Sequence, residues 1–391
     1  MKKILYLTFY FEPDLCAGSF RNSPLIKELA KQASDIAEID VIATIPNRYK
    51  SFEADALPYE KKGNLNIHRI SLPAHKSGMN DQIFSFKEYY AKALKLTKGK
   101  KYDLVIASSS RLFTAYLGYK IASKNKTPLY LDIRDIFYDT MEDVLKSKIL
   151  KTFSLPIIKQ IEKRTFSYAS HINLISEGFK SYFQQYNNCN YSYFTNGIDQ
   201  VFIDNNASLE KSKVPFSPKK IVYAGNLGEG QGLDKIVPDA AKLLGNDYEF
   251  VIIGDGGIKD RLVDKVKSYN LKNVTFFNPM KREELIKVYE ECDFTFVHLN
   301  DYEAFKKVLP SKIFELACFP QPMIAGVGGY ANKFISENIS NKILFNPCDV
   351  EDFVKQLKYF TYIRHKREKF IEKFKRSTIN SEMASSMLEY L

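Results

Sequence analysis

What most restricts this chain is an alternation that runs through both halves: short apolar runs that read as strands, separated by stretches with helical period. In the first half, residues 4–10, 39–45, 65–72, 104–108, 128–133, 171–176 and 191–195 read as strands. Residues 20–33, 113–123 and 155–168 read as helices. In the second half, strands are expected at 220–224, 248–254, 274–277, 294–299 and 322–325, with helices running to Leu244 and to Tyr269. This order predicts an α/β protein with two doubly wound, Rossmann-like parallel sheets. A chain of 391 residues, 45% of them hydrophobic, can fill both cores. The expected domains are residues 1–204, residues 205–362, and a helical segment 363–391 that packs back on the first domain. Residues 205–218 are polar, contain two prolines and read as the linker.

Ligands of such sheets bind outside the carboxyl ends of the strands, so the candidate residues are sought there. Pro310-Ser311-Lys312-Ile313-Phe314-Glu315 reads as a loop entering a short helix. Lys312 and Glu315, three apart, share one side of its start. There Lys312 and backbone N–H groups can meet a diphosphate while Glu315 accepts from ribose hydroxyls. The same residues can equally form a solvated salt bridge on a buried helix. Gly225-Asn226-Leu227-Gly228 follows a strand, Gly254-Asp255-Gly256-Gly257 follows the next, and Gly328-Gly329 follows the strand at 322–325. Each can lie under a nucleotide or be a tight turn. In the first half, Gly18 allows close backbone approach to a sugar or phosphate, or makes an ordinary strand-to-helix turn. Arg134 and Asp135 stand at a strand end, either facing a ligand or paired with each other. Asp199 reads as completing a turn.

Composition narrows the partners. Net charge is +11. Residues 1–200 hold 29 Lys+Arg against 20 Asp+Glu, a balance of +9, and the remainder hold 28 against 26, a balance of +2. The basic half suits a phosphate-bearing substrate or an anionic membrane. No nucleic-acid-binding signature accompanies it. The segment 144–164 interleaves Lys146, Lys148, Lys151, Lys159, Lys163 and Arg164 with Leu145, Ile149, Leu150, Phe153, Leu155, Ile157 and Ile158. Such a segment can lie on an anionic bilayer, or be a core helix with a solvated basic face. The five cysteines are scattered, and no His or carboxylate cluster has metal-ligand spacing. Neither a metal nor another cofactor is expected. The apolar start, residues 4–10, reads as a buried strand rather than a signal peptide, and a cytoplasmic location is expected.

Together the motifs resemble the GT-B fold of retaining glycosyltransferases, in which two such domains face a cleft. The resemblance is to the family of bacterial O-antigen, capsule and exopolysaccharide transferases. It rests on five points in order: residues 13–18 with Arg21 after them, Asp132-Ile133-Arg134-Asp135, Asn196-Gly197-Ile198-Asp199, Tyr223-Ala224-Gly225-Asn226-Leu227-Gly228, and residues 310–315. The chain departs from the family at Lys307, where a first glutamate is often found. It departs again at Asn226 and Gln231, where a basic pair is common.

The resemblance implies catalytic roles for Arg134, Asp135 and Lys312. It implies donor contacts by Gly18, Gly225, Asn226, Gly254, Pro310, Ser311, Lys312, Glu315, Gly328 and Gly329. Arg21, Lys146, Lys148 and Lys151 fall on the acceptor and membrane side. The implied substrates are a nucleotide sugar, taken as UDP-linked, and a polyprenyl-diphosphate-linked saccharide at the inner membrane face. Rival readings are a UDP-sugar 2-epimerase of the same fold and a non-catalytic partner subunit.

Overall fold

In the computed structural model, which describes residues 1–14, 16–46, 56–72, 79–109, 112–145, 147–206 and 218–391, the apolar runs are the central strands of two sheets. The first sheet holds β1 (Lys2–Leu7), β2 (Ala37–Thr44), β3 (Tyr59–Lys62), β4 (Leu65–Ile70), β5 (Leu104–Ser109), β6 (Leu129–Ile133), β7 (His171–Leu174) and β8 (Asn190–Ser192). Their order is β3-β4-β2-β1-β5-β6-β7-β8, and only the β3–β4 pairing is antiparallel. Every residue of β5 and β6 is buried. That explains their largely apolar character, Asp132 and the two serines at the end of β5 apart, since a parallel strand covered on both faces has no polar side.

The second sheet holds β9 (Lys219–Asn226), β10 (Tyr248–Asp255), β11 (Val274–Phe277), β12 (Phe294–His298), β13 (Met323–Gly326) and β14 (Lys342–Phe345). Its order is β11-β10-β9-β12-β13-β14, all parallel. Ile221, Phe250, Ile252, Phe294 and Phe296 form its core with Leu233, Ile236 and Val237 of the helix Leu233–Leu244. In both sheets the order reverses beside the first strand, which places the crevice for ligands at the carboxyl ends there.

The chain divides into residues 1–196 with 378–391, and residues 197–377. The expected boundary at 204/205 therefore moves to 196/197, and residues 363–377 join the second unit rather than the first. Asp199 explains the early boundary. It is held by Arg282 Nη2 at 2.6 Å and Arg376 Nε at 2.5 Å, both in the second unit. The last helix, Arg376–Leu388, does return to the first unit. Met383, Ala384 and Met387 are buried among Ile4, Ile39 and Leu104, and Tyr130 Oη lies 2.9 Å from Ser386 Oγ. Most of the expected linker, residues 207–217, lies outside the described residues. A further difference concerns the helix expected at 155–168. It begins at Lys148, capped by Ser147 Oγ, which accepts from the Leu150 N–H at 3.4 Å, and it runs through Pro156 to Tyr168.

Candidate active site

Each unit gathers its candidate residues at the carboxyl edge of its sheet. In the first unit, Asp132 lies one residue before the end of β6, fully buried. Arg21, from the helix Ala17–Gln32, grips it in a two-pronged pair, Nε to Oδ2 at 2.9 Å and Nη2 to Oδ1 at 2.8 Å. Asn173 and Ser108 donate to the same carboxylate at 2.8 and 2.9 Å. Burial alone would raise the Asp132 pKa, but the Arg21 charge and the hydrogen bonds of Arg21 and Asn173 outweigh it and hold the carboxyl below its ordinary value. The remaining Arg21 donors satisfy the backbone carbonyls of Phe194 and Thr195. Arg21 is only 3% exposed, so its expected place on the acceptor side is corrected. Its fork matches a carboxylate inside the fold, where it knits β6, the 194–195 segment and its own helix together.

Two residues further on, Arg134 and Asp135 reach the surface, partly buried and exposed respectively. Among the described residues they form no ion pair with each other, so the paired alternative is not what the chain adopts. Arg134 is anchored by its backbone N–H to the Ser109 carbonyl at 2.9 Å, and its Nε finds no hydrogen-bond partner among the described residues. Gly18 sits beside it. A Cβ there would stand 3.0 Å from Tyr10 Cδ2 and 3.2 Å from Arg134 Nη1. The space that Gly18 leaves open is thus filled by protein side chains, and what this edge offers a ligand is the guanidinium of Arg134.

In the second unit, Gly225 and Gly254 are paired across β9 and β10. Gly254 has φ +149°, and a Cβ on it would lie 1.9 Å from the Gly225 carbonyl oxygen, so no other residue fits. Asn226 and Gln231 bond to each other, Nδ2 to Oε1 at 2.9 Å, and Gln231 Oε1 also accepts from the Gly228 N–H. They shape the loop after β9 and supply no cation. His298, ending β12, fixes that loop from below. Its Nδ1 donates to the Gln231 carbonyl at 2.6 Å and its Nε2 accepts from the Cys348 N–H at 3.0 Å. Burial pushes its pKa down to about 4, consistent with a neutral ring. Asn300 adds a bond to the Glu229 carbonyl at 2.9 Å.

The segment after β12 completes this edge. Residues 303–307 form a single turn, and Gly329, with φ +55°, passes so close to it that a Cβ would lie 2.0 Å from the Lys306 carbonyl oxygen. Gly328 precedes it as the cap of the helix Gly329–Asn338. Pro310 and Ser311 lead, half-buried, into the helix Lys312–Leu316. Lys312 Nζ lies 2.6 Å from Glu315 Oε2, with the two side chains 29% and 12% exposed. Burial opposes ionisation of Glu315, but Lys312 first, then Arg282 and Arg376, keep its pKa below the ordinary value. Glu315 is therefore held ionised in a buried place and paired with Lys312, whose side chain keeps partial access to solvent. Sequence reading missed His298, Asn300, Arg282 and Arg376. Their partners lie far along the chain, and no local spacing marks them.

On the helix Lys148–Tyr168, Ile149, Phe153 and Ile157 form a stripe at successive turns, 71%, 72% and 61% exposed, with Leu150 beside it at 57%. Lys148 is exposed and Lys151 half-buried. Lys146 lies outside the described residues. The core-helix alternative fails for this face, because buried core residues do not leave a row of large apolar side chains in solvent.

Two doubly wound Rossmann-like sheets, with polar groups at their carboxyl edges, give the chain the fold of the GT-B glycosyltransferase structures it resembles. Residues 204–377, close to the second unit, match the family model Glycosyl transferases group 1. A stretch of 110 residues, 28% of this chain, is 31% identical to the putative colanic acid biosynthesis glycosyl transferase WcaI of Escherichia coli K12. That match spans 27% of the length of the relative. Among solved structures, sucrose-phosphate synthase of Thermosynechococcus elongatus superposes with a TM-score of 0.75 over 100% of this chain and 99% of its own, at 13% identity. Anabaena HepE, solved with UDP-glucose, superposes at 0.66 over the whole of both chains, at 16% identity.

Proposed function

We propose that this protein moves a sugar from a UDP-linked donor to a lipid-linked saccharide in cell-surface polysaccharide synthesis, with retention of configuration, at the inner face of the cytoplasmic membrane. The observation that carries the reading is the Lys312–Glu315 pair at the carboxyl edge of a parallel sheet, inside the stretch that matches the transferase family. Departure of a nucleoside diphosphate builds negative charge on the leaving oxygen, and in this reading the Lys312 ammonium answers it. Glu315 takes the ribose. In the first unit, Arg134, whose Nε has no hydrogen-bond partner among the described residues, is the proposed contact for a phosphate or sugar. UDP is favoured as carrier because HepE was solved with UDP-glucose, and a surface-polysaccharide product because WcaI is named for colanic acid. A thermal-shift screen of nucleotide sugars tests the donor, since a ligand of the folded state alone raises the melting temperature. Stabilisation by no nucleotide sugar overturns the reading. The mutual bond of Asn226 and Gln231 keeps a non-catalytic partner as the rival. Donor hydrolysis without acceptor separates the two.

Catalysis is expected to need no divalent metal. Among the described residues no group of three or more His, Cys, Asp or Glu is placed to hold one, and Lys312 and Arg134 offer cations instead. Transfer should persist after exhaustive EDTA treatment. Loss of activity that Mg²⁺ or Mn²⁺ restores would remove this part of the proposal.

The membrane contact is assigned to the Ile149–Phe153–Ile157 stripe and its lysines. No helix among the described residues is long and apolar enough to cross a bilayer. Each basic side chain near anionic lipid is worth up to about 1 kcal/mol and is screened by salt. Each large apolar side chain that enters the lipid adds roughly 1.5–3 kcal/mol that salt leaves intact. Sedimentation with phosphatidylglycerol vesicles should therefore show binding that falls with salt but does not vanish. Lys148→Glu with Lys151→Glu should weaken the salt-sensitive part, and Phe153→Ser with Ile157→Ser the remainder. Wild-type protein that ignores anionic vesicles at low salt ends the membrane assignment.

A further inference from the structure

The crevice of the second sheet opens between β9 and β12, where the strand order reverses. The loops that leave these two strands flank it, and Asn300, only 2% exposed, joins them. Its backbone N–H donates to the Gly230 carbonyl at 2.8 Å and its Nδ2 to the Glu229 carbonyl at 2.9 Å. Its Oδ1 accepts from Lys235 Nζ at 2.9 Å, from the Asp301 N–H at 3.0 Å and from Cys348 Sγ at 3.4 Å. Lys235 itself is exposed, on the first turn of the helix Leu233–Leu244, with its ammonium 5.6 Å from the centre of the Tyr302 ring. A cation thus stands where the two loops meet.

The acidic residues nearest along the chain do not neutralise it. Glu229 and Asp234 are both taken by Arg261, at 2.8 and 2.9 Å. The other lysines of this edge have carboxylates of their own, Lys306 with Glu303 and Lys312 with Glu315. Among the described residues Lys235 forms no ion pair.

We propose that Lys235 binds the diphosphate of the nucleotide sugar, as the cation that Asn226 and Gln231 do not supply from the loop after β9. The inference rests on the nucleotide-sugar reading above. An amide oxygen has two lone pairs, and Asn300 Oδ1 has three donors. Lys235 can therefore turn to a phosphate oxygen while the Asp301 N–H and the Cys348 thiol keep the amide satisfied. The exchange gains strength, because the new bond joins two ions and the present one joins an ion to a neutral group. A lysine suits the task, as a compact charge on a flexible stem. Lys235 comes from the helix after β9 and Lys312 from the helix after β12, so each connection contributes one cation.

Titration calorimetry of the whole chain with pyrophosphate, UDP and uridine tests this. Lys235→Met keeps the apolar stem and removes the charge. It should weaken UDP and pyrophosphate by at least about tenfold, the scale of one charged hydrogen bond, and leave uridine unchanged. Lys235→Arg should restore most of the loss. The gap between wild type and Lys235→Met should narrow at high salt, because the ammonium is open to solvent. The melting temperature of the free protein should stay that of the wild type, which shows that the fold is intact. Lys235→Met protein that binds UDP and pyrophosphate as the wild type does overturns the proposal. So does an equal loss for UDP and uridine, which would mean that Lys235 serves only to hold Asn300 and its two loops. Wild-type protein that binds pyrophosphate through Lys235 but is stabilised by no nucleotide sugar counts against the proposed function and leaves Lys235 as a phosphate-binding cation. Wild-type protein that binds neither pyrophosphate nor UDP removes both.

Discussion

Asp132→Asn is expected to destabilise the first unit by about 3–5 kcal/mol, the usual consequence of leaving one partner of a buried ion pair alone. Arg21 has no route to solvent at 3% exposure, and its remaining acceptors, the carbonyls of Phe194 and Thr195, do not neutralise it. Arg21→Met fails differently. It leaves a buried carboxylate that can escape by taking a proton, so its cost should shrink as the solution is acidified. Asp132 in the wild type is held below its ordinary pKa. Its stabilisation is complete above the unfolded value, about 4, and is lost as pH falls through the lower folded value. The wild-type advantage over Asp132→Asn should narrow there too. Joining Arg21→Met with Asp132→Leu should cost less than the sum of the single changes, because no lone charge remains. The chain contains no tryptophan, so urea unfolding is best followed by far-ultraviolet circular dichroism, with hydrogen exchange of β1 and β6 to report this unit alone. A loss below about 1 kcal/mol for Asp132→Asn, the scale of an exposed pair, would show that Arg21 finds water or another anion.

The Arg21–Asp132 pair also marks where sequence stops being readable. The strands were legible because burial on both faces writes itself into consecutive residues, as in 104–109 and 129–133. β3 was not, because Tyr59–Lys62 lies at the sheet edge with mostly exposed side chains and carries no apolar pattern. The helix start at Lys148 was obscured by Pro156, which favours the first turn of a helix but here stands inside one. Residues 132–135, running out of the end of β6, were recognisable as a strand-end segment, but not that the first of them points inward and the third outward. That division depends on Arg21, 111 residues earlier, claiming Asp132 and leaving Arg134 unclaimed. The boundary at 196/197 was hidden for the same reason, since Asp199 is bound by arginines from positions 282 and 376. Long-range charge pairing has no local period, and it is what sets both the boundary and the availability of each cation.

Lys312→Ala and Glu315→Ala are each expected to remove about 2–5 kcal/mol of donor binding and transition-state stabilisation, the cost of deleting a charged hydrogen bond to a ligand. At about 1.4 kcal/mol per decade, that is a fall from roughly thirtyfold to several thousandfold in kcat/KM. The fold itself should suffer less. Lys312 is partly open to solvent, and a partly exposed pair contributes about 0–1 kcal/mol. Glu315 deprived of Lys312 still has Arg282 and Arg376 favouring its charge. The two residues should fail on different parts of the donor. Lys312→Ala should weaken UDP far more than uridine, because the ammonium answers the diphosphate. Glu315→Gln should weaken UDP more than its 2′,3′-dideoxy analogue, because the carboxylate answers the ribose hydroxyls. Titration calorimetry of these ligands against wild type and both variants gives the comparison directly. If both variants bind UDP and turn over as the wild type does, the pair is only the salt bridge that the free protein displays, and the donor must be held elsewhere on this edge. If UDP affinity falls while the preference for diphosphate and ribose stays as in the wild type, the pair shapes the helix Lys312–Leu316 without touching the ligand. The assignment requires the two selectivities to separate, because only direct contact assigns one chemical group of the donor to each side chain.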